Sequence, residues 1–201
     1  MRSQVSVPRR RGLDDETARA RVLDAADRLY YEHGIHAVGM DLLRAESGVP
    51  LKQLYRLFGG KEAIVEQVLL RRHEVWTDWV RAATAAATGP RARLLAIYDM
   101  LARWFDQEDF RGCLFIHSFG ELGGDMPRVA EIVRAHKADF QARVAELVAE
   151  AGAPDSLAPQ LAILAEGAQT TAAIAGTTDA ARQARAAAEV LIDHALGPGA
   201  R

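Results

Sequence analysis

The stretch that decides the fold is "GVPLKQLYRLFGGKE", residues 48–62, where apolar and polar side chains alternate irregularly before a pair of glycines. Helical spacing separates the two kinds of side chain onto opposite sides of a short helix. The inward side is predicted to carry Val49, Leu54, Leu57 and Phe58. The outward side, or positions beside it, is predicted to carry Leu51, Lys52, Gln53, Tyr55 and Arg56. The stretch therefore has one surface for packing and another for a partner.

The preceding residues predict two further helices that brace this one. The apolar spacing predicts a helix from about Asp15 to Glu32, with Gly34 as its stop, and a short helix near Met40–Ser47. The segment "SGVP" separates the second helix from a third, which covers Leu51–Leu57. Two short helices joined by a tight turn and supported by a longer helix form a helix-turn-helix.

The outward side suits DNA. Gln53 can form paired hydrogen bonds with adenine, Arg56 and Lys52 can reach guanine or phosphate, and the Tyr55 hydroxyl can donate to phosphate. Lys61 follows the glycines on the first turn of another helix, whose free N–H groups and dipole also attract phosphate. The alternative is a solvated face on an ordinary bundle helix, and spacing alone leaves both interpretations open.

Composition narrows the class of protein. The chain has 201 residues, 49% of them hydrophobic, which is ample for a core without disulfides or metals. Cys113 is the single cysteine, so an intrachain disulfide is excluded and a reducing, cytoplasmic location is expected. The chain contains no run of 18 apolar residues, so no membrane span is predicted. The N-terminus lacks the apolar core of a signal peptide. Residues 1–62 carry a net charge of +2 and residues 63–201 carry −4, which permits a nucleic-acid surface at the N-terminal end.

The rest of the chain also reads as helix, so the expected fold is all-α with about nine helices. Residues 1–14, with the segment "PRRRG" at 8–12, are expected to be a flexible basic arm that either reaches the minor groove or only aids solubility. Residues 15–60 are expected to form the helix-turn-helix domain, and residues 61–201 a domain for effector binding and dimerisation. Asp125 and Pro127 are predicted start signals for a long helix that ends near Gly152.

The last two helices carry regular seams of mostly small residues, separated by Gly176 and a predicted cap at Thr177 or Thr178. Such seams allow a partner helix to approach closely, as in four-helix packing. We expect the two helices to pair with those of a second subunit. The predicted interface residues are Leu161, Leu164, Ala168, Thr171, Ala184, Ala187, Leu191 and His194.

The order of residues from Ala20 to Leu69 closely resembles the N-terminal domain of the tetracycline-repressor-like (TetR/AcrR) family of bacterial transcriptional regulators. The matching features are "VLDAA", Gly34 followed by an apolar residue, "AESGV", and "LYRLF" followed by "KE". The later segments "RGCLFIHSFGEL" and "VRAHKADFQARVAEL" are more loosely similar to the effector domain of one group within that family.

The resemblance implies that Leu51, Lys52, Gln53 and Arg56 face the major groove and that Tyr55 and Lys61 contact phosphates. Leu54 and Phe58 would hold the recognition helix to the domain. Several positions depart from the family pattern, among them Leu51 and Lys52, which replace what is often a lysine followed by a small residue. Gly39 and Pro50 stand where hydroxyl caps are usual, and Thr17 lies one residue from a common phosphate-binding Thr. The candidate DNA-binding residues are Thr17, Pro50, Leu51, Lys52, Gln53, Tyr55, Arg56 and Lys61.

The aromatic residues of the larger half have two interpretations. Taken singly, aromatic stripes usually belong to a core, whereas the family resemblance favours an apolar effector cavity with a few polar groups. Cys113 is either a small apolar filler or a sensor of oxidants. The candidate ligand-binding residues are Trp76, Trp79, Tyr98, Trp104, Phe105, Phe110, Cys113, His117, Phe119, Glu121, His136, Phe140 and Gln169.

The sequence offers no motif for catalysis. Its six histidines form no metal-binding pattern, and no phosphate loop, nucleophile elbow or carboxylate pair is present, so we expect no catalytic residue, metal or cofactor. The expected function is a dimeric, ligand-responsive repressor that binds a pseudo-palindromic double-stranded operator and releases it when a small molecule binds. The alternative is a helical small-molecule-binding protein or enzyme that keeps this fold without binding DNA.

Overall fold

The structure is a computed structural model that describes residues 13–197, and within that range the chain forms nine helices and no strand. This confirms the all-α prediction. The basic arm predicted at the N-terminus lies outside the described residues except for its last two positions. The helices are α1 (Asp15–His33), α2 (Met40–Ser47), α3 (Leu51–Phe58), α4 (Lys61–Ala86), α5 (Pro90–Phe105), α6 (Leu114–Leu122), α7 (Pro127–Glu150), α8 (Leu157–Ala175) and α9 (Asp179–Leu196).

Local chemistry sets the helix ends. The carboxylate of Asp14 accepts the Thr17 backbone N–H at 2.9 Å and so caps the start of α1, while Gly34, at φ +81°, ends it. Pro127 begins α7 as predicted, but the capping position is Met126, which corrects the start role given to Asp125. Thr178 occupies the cap of α9, as one of the two predicted alternatives, without a side-chain capping bond.

The N-terminal unit extends through Val65 and contains α1, α2, α3 and the first turn of α4. Its core includes Val22, Leu43, Val49 and Leu54, which are fully buried. The boundary after Val65 is five residues beyond the predicted one, and the first turn of α4 carries the buried residue Ile64. Burial of these apolar side chains holds α2 and α3 against α1, since helices of eight residues are marginal alone.

The C-terminal unit begins at Glu66, and α5, α7, α8 and α9 pack into its core. Alanines along α8 and α9, such as Ala165 and Ala188, are buried and let the helices approach closely. The Tyr98 hydroxyl donates to the Leu161 carbonyl at 2.7 Å, which fastens α5 to α8. Across residues 13–197, none of the helices combines the length and the apolar character needed to cross a bilayer.

Candidate functional site

The helix α3 has the two sides that its sequence predicts. Val49 before it and Leu54, Leu57 and Phe58 along it are buried, which confirms the predicted inward side. Lys52, Tyr55 and Arg56 are exposed, and Leu51 and Gln53 are partly exposed. The exposed polar side is therefore available to a partner while the apolar side anchors the helix.

A buried serine shapes the turn between α2 and α3. The Ser47 hydroxyl donates to the Leu43 carbonyl at 2.6 Å and accepts the Val49 backbone N–H at 3.3 Å. Gly48 follows at φ +67°, a left-handed conformation that glycine adopts without strain. Sequence reasoning did not single out Ser47, although a serine before a helix-ending glycine is a typical turn signal.

Arg19 on α1 holds the far end of α3. Its Nη2 donates to the Leu57 carbonyl at 2.6 Å, and its guanidinium carbon lies 5.0 Å from the centre of the Phe58 ring. The hydrogen bond satisfies one of the carbonyls that a helix leaves unpaired at its C-terminus. Arg19 was missed because a single arginine within an amphipathic helix gives no signal in the sequence.

Two of the predicted base-reading side chains are bonded to the start of α1. Gln53 Nε2 donates to the Leu13 carbonyl at 3.2 Å and to Asp15 Oδ1 at 3.3 Å. Arg56 Nη1 donates to Asp15 Oδ2 at 2.7 Å, and Arg56 Nη2 bonds to Asp15 Oδ1. The Arg56 hydrogen bonds lower the pKa of the Asp15 carboxyl and raise the pKa of Arg56. Asp15 was not among the predicted residues.

The other predicted DNA contacts differ in how much of their bonding capacity is used. Lys61 Nζ donates to the Ile35 carbonyl at 2.5 Å. The Thr17 hydroxyl donates its proton to Asp14 at 2.8 Å. Pro50 is exposed at the cap of α3, and its carbonyl accepts the Leu54 backbone N–H at 3.0 Å.

The C-terminal unit contains an open cleft of about 580 Å³ between α4 and α7. Three of the predicted ligand residues line it, namely Trp76, His136 and Phe140, and the Trp76 ring makes edge contacts with both others. The remaining lining residues were not predicted: His73, Thr77, Val80, Arg81, Ala85, Asp139, Ala142, Arg143 and Glu146.

His136 is the most deeply buried histidine that lines this cleft, and its contacts fix its protonation state. Burial, with smaller effects from Lys137 and His73, lowers the pKa of His136 to about 3, so the ring is neutral at pH 7. It stacks on Phe115 with ring centres 3.5 Å apart, and its Nδ1 lies 3.1 Å from His73 Nδ1. One of these two nitrogens must donate and the other accept, because both rings share that bond.

Two buried N–H groups on cleft residues have no acceptor among residues 13–197. They are Nε1 of Trp76 and Nε of Arg143. The terminal nitrogens of Arg143 are held by Glu146 at 2.9 Å and Thr84 at 3.3 Å, which fixes the guanidinium beside the cleft. Buried donors normally find acceptors, so these two groups are exceptions among the described residues.

The structure does not gather all the predicted ligand residues into one cavity. Trp104 packs edge-on against Phe110, Phe105 is tilted against Phe110, and the two phenylalanines line a separate pocket of about 160 Å³. Tyr98 and Gln169 are buried and donate to backbone carbonyls, and neither lines the cleft. Trp79 and Phe119 are exposed. Cys113 is buried, and His117 and Glu121 are partly exposed, without lining the cleft.

The predicted dimer-interface residues divide between the core and the surface of the subunit. Leu161, Ala168 and Ala184 are buried in the core of their own subunit, so little of each side chain is exposed to a second one. Leu164 and Leu191 are partly buried against the same core, whereas Thr171, Ala187 and His194 are exposed. The large apolar side chains that α8 and α9 expose are instead Ile163, Ile174 and Val190, at 70%, 83% and 69% exposure.

Comparison with known proteins identifies the family. A family model described as "Bacterial regulatory proteins, tetR family" matches residues 22–68, and "Tetracyclin repressor-like, C-terminal domain" matches residues 90–188. An uncharacterised HTH-type transcriptional regulator of Mycobacterium tuberculosis is 26% identical over 125 residues, 62% of each chain, so the match spans about three-fifths of that relative. The HTH-type transcriptional activator FasR of Mycolicibacterium smegmatis is 35% identical over 92 residues, 45% of this chain and 42% of FasR.

Solved structures agree with this assignment. A TetR-family transcriptional regulator from Streptomyces coelicolor has a TM-score of 0.85 and 28% identity, covering 90% of this chain and 97% of its own. Reduced NemR of E. coli, at 21% identity and a TM-score of 0.77 over 85% of this chain and 94% of its own, shares the fold. The chain belongs to the tetR family of bacterial regulatory proteins.

Proposed function

We propose that this chain is a transcriptional regulator that binds double-stranded DNA as a homodimer. The observation that carries the proposal is α3, whose buried side is anchored by Arg19 while Lys52, Tyr55 and Arg56 are exposed on the other side. A rigidly held helix with polar, cationic side chains suits insertion into the major groove. The regulators named among its relatives support the same activity.

The direct test is a gel-shift assay on DNA from upstream of the protein's own gene. We expect sequence-selective retardation that weakens steeply with salt, since each phosphate contact releases counterions. Arg56→Ala should weaken specific binding, and Arg128→Ala is the matched control because Arg128 is exposed on α7 and pairs locally with Glu131. Absence of selective retardation at every salt concentration would favour the alternative, a binding protein or enzyme that does not bind DNA.

The dimer is proposed on the exposed apolar side chains of α8 and α9. Ile163 and Ile174 lie on one face of α8, and Val190 projects from α9, all largely exposed. A two-fold dimer through these helices would bury them and present two copies of α3 to two half-sites, which accounts for a pseudo-palindromic operator. Sedimentation of the full chain tests the oligomeric state directly.

A small-molecule effector is proposed for the cleft between α4 and α7. Trp76, Val80 and Phe140 offer apolar and aromatic contact, while Nε1 of Trp76 and Nε of Arg143 are buried donors. These groups suit a planar aromatic compound that carries a carbonyl or carboxylate oxygen. By linkage, such a ligand lowers DNA affinity if it binds the DNA-incompetent state more tightly, by about 1–3 kcal/mol for ordinary coupling.

The effector proposal is tested by thermal shift with a panel of aromatic carboxylates, ketones and matched hydrocarbons. Compounds with an acceptor oxygen should raise the melting temperature, and Trp76→Phe should reduce the shift because it removes one donor while keeping a ring. Trp79→Phe is the control, since Trp79 is exposed and does not line the cleft. Equal shifts from the hydrocarbons would contradict a role for the two donors.

Repression is the mode of action proposed from the family resemblance, and activation is the second candidate because FasR is named an activator. A reporter gene placed downstream of the bound DNA fragment distinguishes repression from activation. Deleting the regulator raises expression if it represses and lowers expression if it activates. The same strain, supplied with an effector found by thermal shift, shows whether the ligand reverses the response.

A further inference from the structure

Asp15 lies between the two polar side chains of α3 that are expected to meet bases. It occupies the first turn of α1, which Asp14 caps through the Thr17 N–H, so the position of the Asp15 backbone is fixed. Its two carboxylate oxygens accept hydrogen bonds from both terminal nitrogens of Arg56, and one of them also accepts from Gln53. One carboxylate therefore controls the orientation of both side chains.

The carboxylate uses only part of the Arg56 guanidinium. A guanidinium has five N–H donors, and Asp15 takes one from Nη1 and one from Nη2. The edge formed by Nε and the second Nη2 hydrogen keeps the paired geometry that matches O6 and N7 of guanine. The side chain is thus held by one end, while an adjacent edge stays able to read a base.

Gln53 is restricted in a different way. Its amide nitrogen has two hydrogens, and the structure gives that nitrogen two acceptors, the Leu13 carbonyl at 3.2 Å and Asp15 Oδ1 at 3.3 Å. Paired recognition of adenine requires glutamine to donate and accept together. With its donors engaged, Gln53 offers its amide oxygen alone, which can accept from an exocyclic amino group.

We propose that Asp15 is a positioning residue that sets the base preference of α3, by turning one edge of Arg56 toward a guanine and by limiting Gln53 to accepting. The proposal rests on the DNA-binding function proposed above. Asp15 itself repels phosphate, so its effect is on the choice of sequence and runs against overall affinity. This separates it from a residue that simply adds a contact.

The test compares base preference in the full-length wild type, Asp15→Asn and the control Glu16→Gln, by selection from random DNA followed by competition binding. Both variants remove one negative charge from the same exposed turn, so both should bind random DNA more tightly. Asp15→Asn alone should reduce the preference for guanine at the Arg56 position by about 5- to 10-fold and admit adenine at the Gln53 position. Arg56→Lys keeps the charge without the fork, and in that background Asp15→Asn should change the guanine preference no further.

Failure of the Asp15 role and failure of the proposed DNA-binding function give different results. A selective wild type whose base preference is unchanged in Asp15→Asn would overturn the positioning role, as would an equal change in Glu16→Gln. Higher affinity for every sequence with selectivity intact would overturn it too, because Asp15 would then be a competitor of DNA. A wild type without any sequence preference would contradict the proposed function itself. If Asp15→Asn unfolds, Asp15→Ser answers the same question.

Discussion

The outward side chains of α3 differ in how much of their hydrogen-bonding capacity the subunit already uses. Gln53 and Arg56 are bonded to the start of α1, whereas Lys52 and Tyr55 are exposed, Tyr55 at 48%. Bonded side chains have a fixed direction, and they suit base readout because it requires hydrogen-bonding groups at defined positions. Exposed, adaptable side chains suit phosphates, which fix position without reading sequence.

Substitutions of Tyr55 and Lys52 should therefore weaken binding to all DNA sequences equally, but they should differ in how the loss of affinity depends on salt concentration. Tyr55→Phe keeps the ring and removes a neutral donor, so it should weaken binding by about 1 kcal/mol at every salt concentration. Lys52→Gln removes a charge and should lower the slope of log affinity against log salt by about 1. Binding titrations across a salt series measure both, and a loss confined to one sequence in either variant would contradict a phosphate role.

His136 should make folding stability depend on pH. Its pKa is about 3 when folded and about 6.5 when unfolded, so the unfolded chain binds the proton more readily between these values. The stability is fully present above pH 6.5 and is lost as the pH falls toward 3. Between pH 7 and pH 5 the loss from this residue should be about 2 kcal/mol, as measured by urea unfolding.

The control for this pH effect removes titration while keeping a ring. His136→Phe retains an aromatic partner for Phe115 and should flatten the dependence by the same amount, even if its stability at pH 7 differs. An unchanged pH profile in His136→Phe would show that another group titrates.

At the scale of elements, Arg19 is the link that α1 makes to the end of α3. Arg19→Met keeps the aliphatic stem but loses the hydrogen bond to the Leu57 carbonyl and the contact with the Phe58 ring. We expect the chain to be destabilised by about 1–2 kcal/mol, and DNA selectivity to fall because α3 is less firmly held. Arg21→Met is the control, an exposed arginine on the same helix, and an equal loss there would indicate a general helix effect.

The helices were largely predictable because local chemistry decides them. The predicted short helices at Met40–Ser47 and Leu51–Leu57 match α2 and α3 to within one residue, since Gly48 and Gly59 end them through positive φ angles. It was harder to predict which face of α8 is buried in the subunit core. Leu161 was predicted at the interface and Ile163 was not, yet Leu161 is buried and Ile163 is exposed. Periodicity identifies apolar stripes but does not say which stripe meets its own core.

The candidate sites were predictable where one helix forms them and obscure where several do. The sides of α3 follow from its own spacing, whereas Asp15 meets Arg56 across 41 positions of sequence. The cleft shows the same limit, because Trp76 and Phe140 are recognisable aromatics but Arg143 reads as one of many surface cations. Contacts between distant elements depend on packing geometry, which cannot be inferred from a single sequence.

At the scale of the whole molecule, the exposed surface of α8 and α9 changes which substitution should produce monomers. Ala184 is 8% exposed within the subunit core, so Ala184→Glu should unfold the chain by burying a charge, at a cost of about 3 kcal/mol or more. A change in mass from that variant would say nothing about an interface. The informative position has to be exposed in the subunit and apolar.

Ile174, at 83% exposure, meets both conditions. Ile174→Glu places a charge on the proposed interface without touching the core, so the melting curve should show a folded subunit while light scattering gives the mass of a monomer. Operator affinity should fall sharply, because two half-sites would then be bound independently and the gain from linked binding is about 100-fold or more. Ala145→Glu, on an exposed position of α7, controls for the added charge. A dimeric mass for Ile174→Glu would move the interface elsewhere, whereas a monomer with full operator affinity would separate dimerisation from DNA binding.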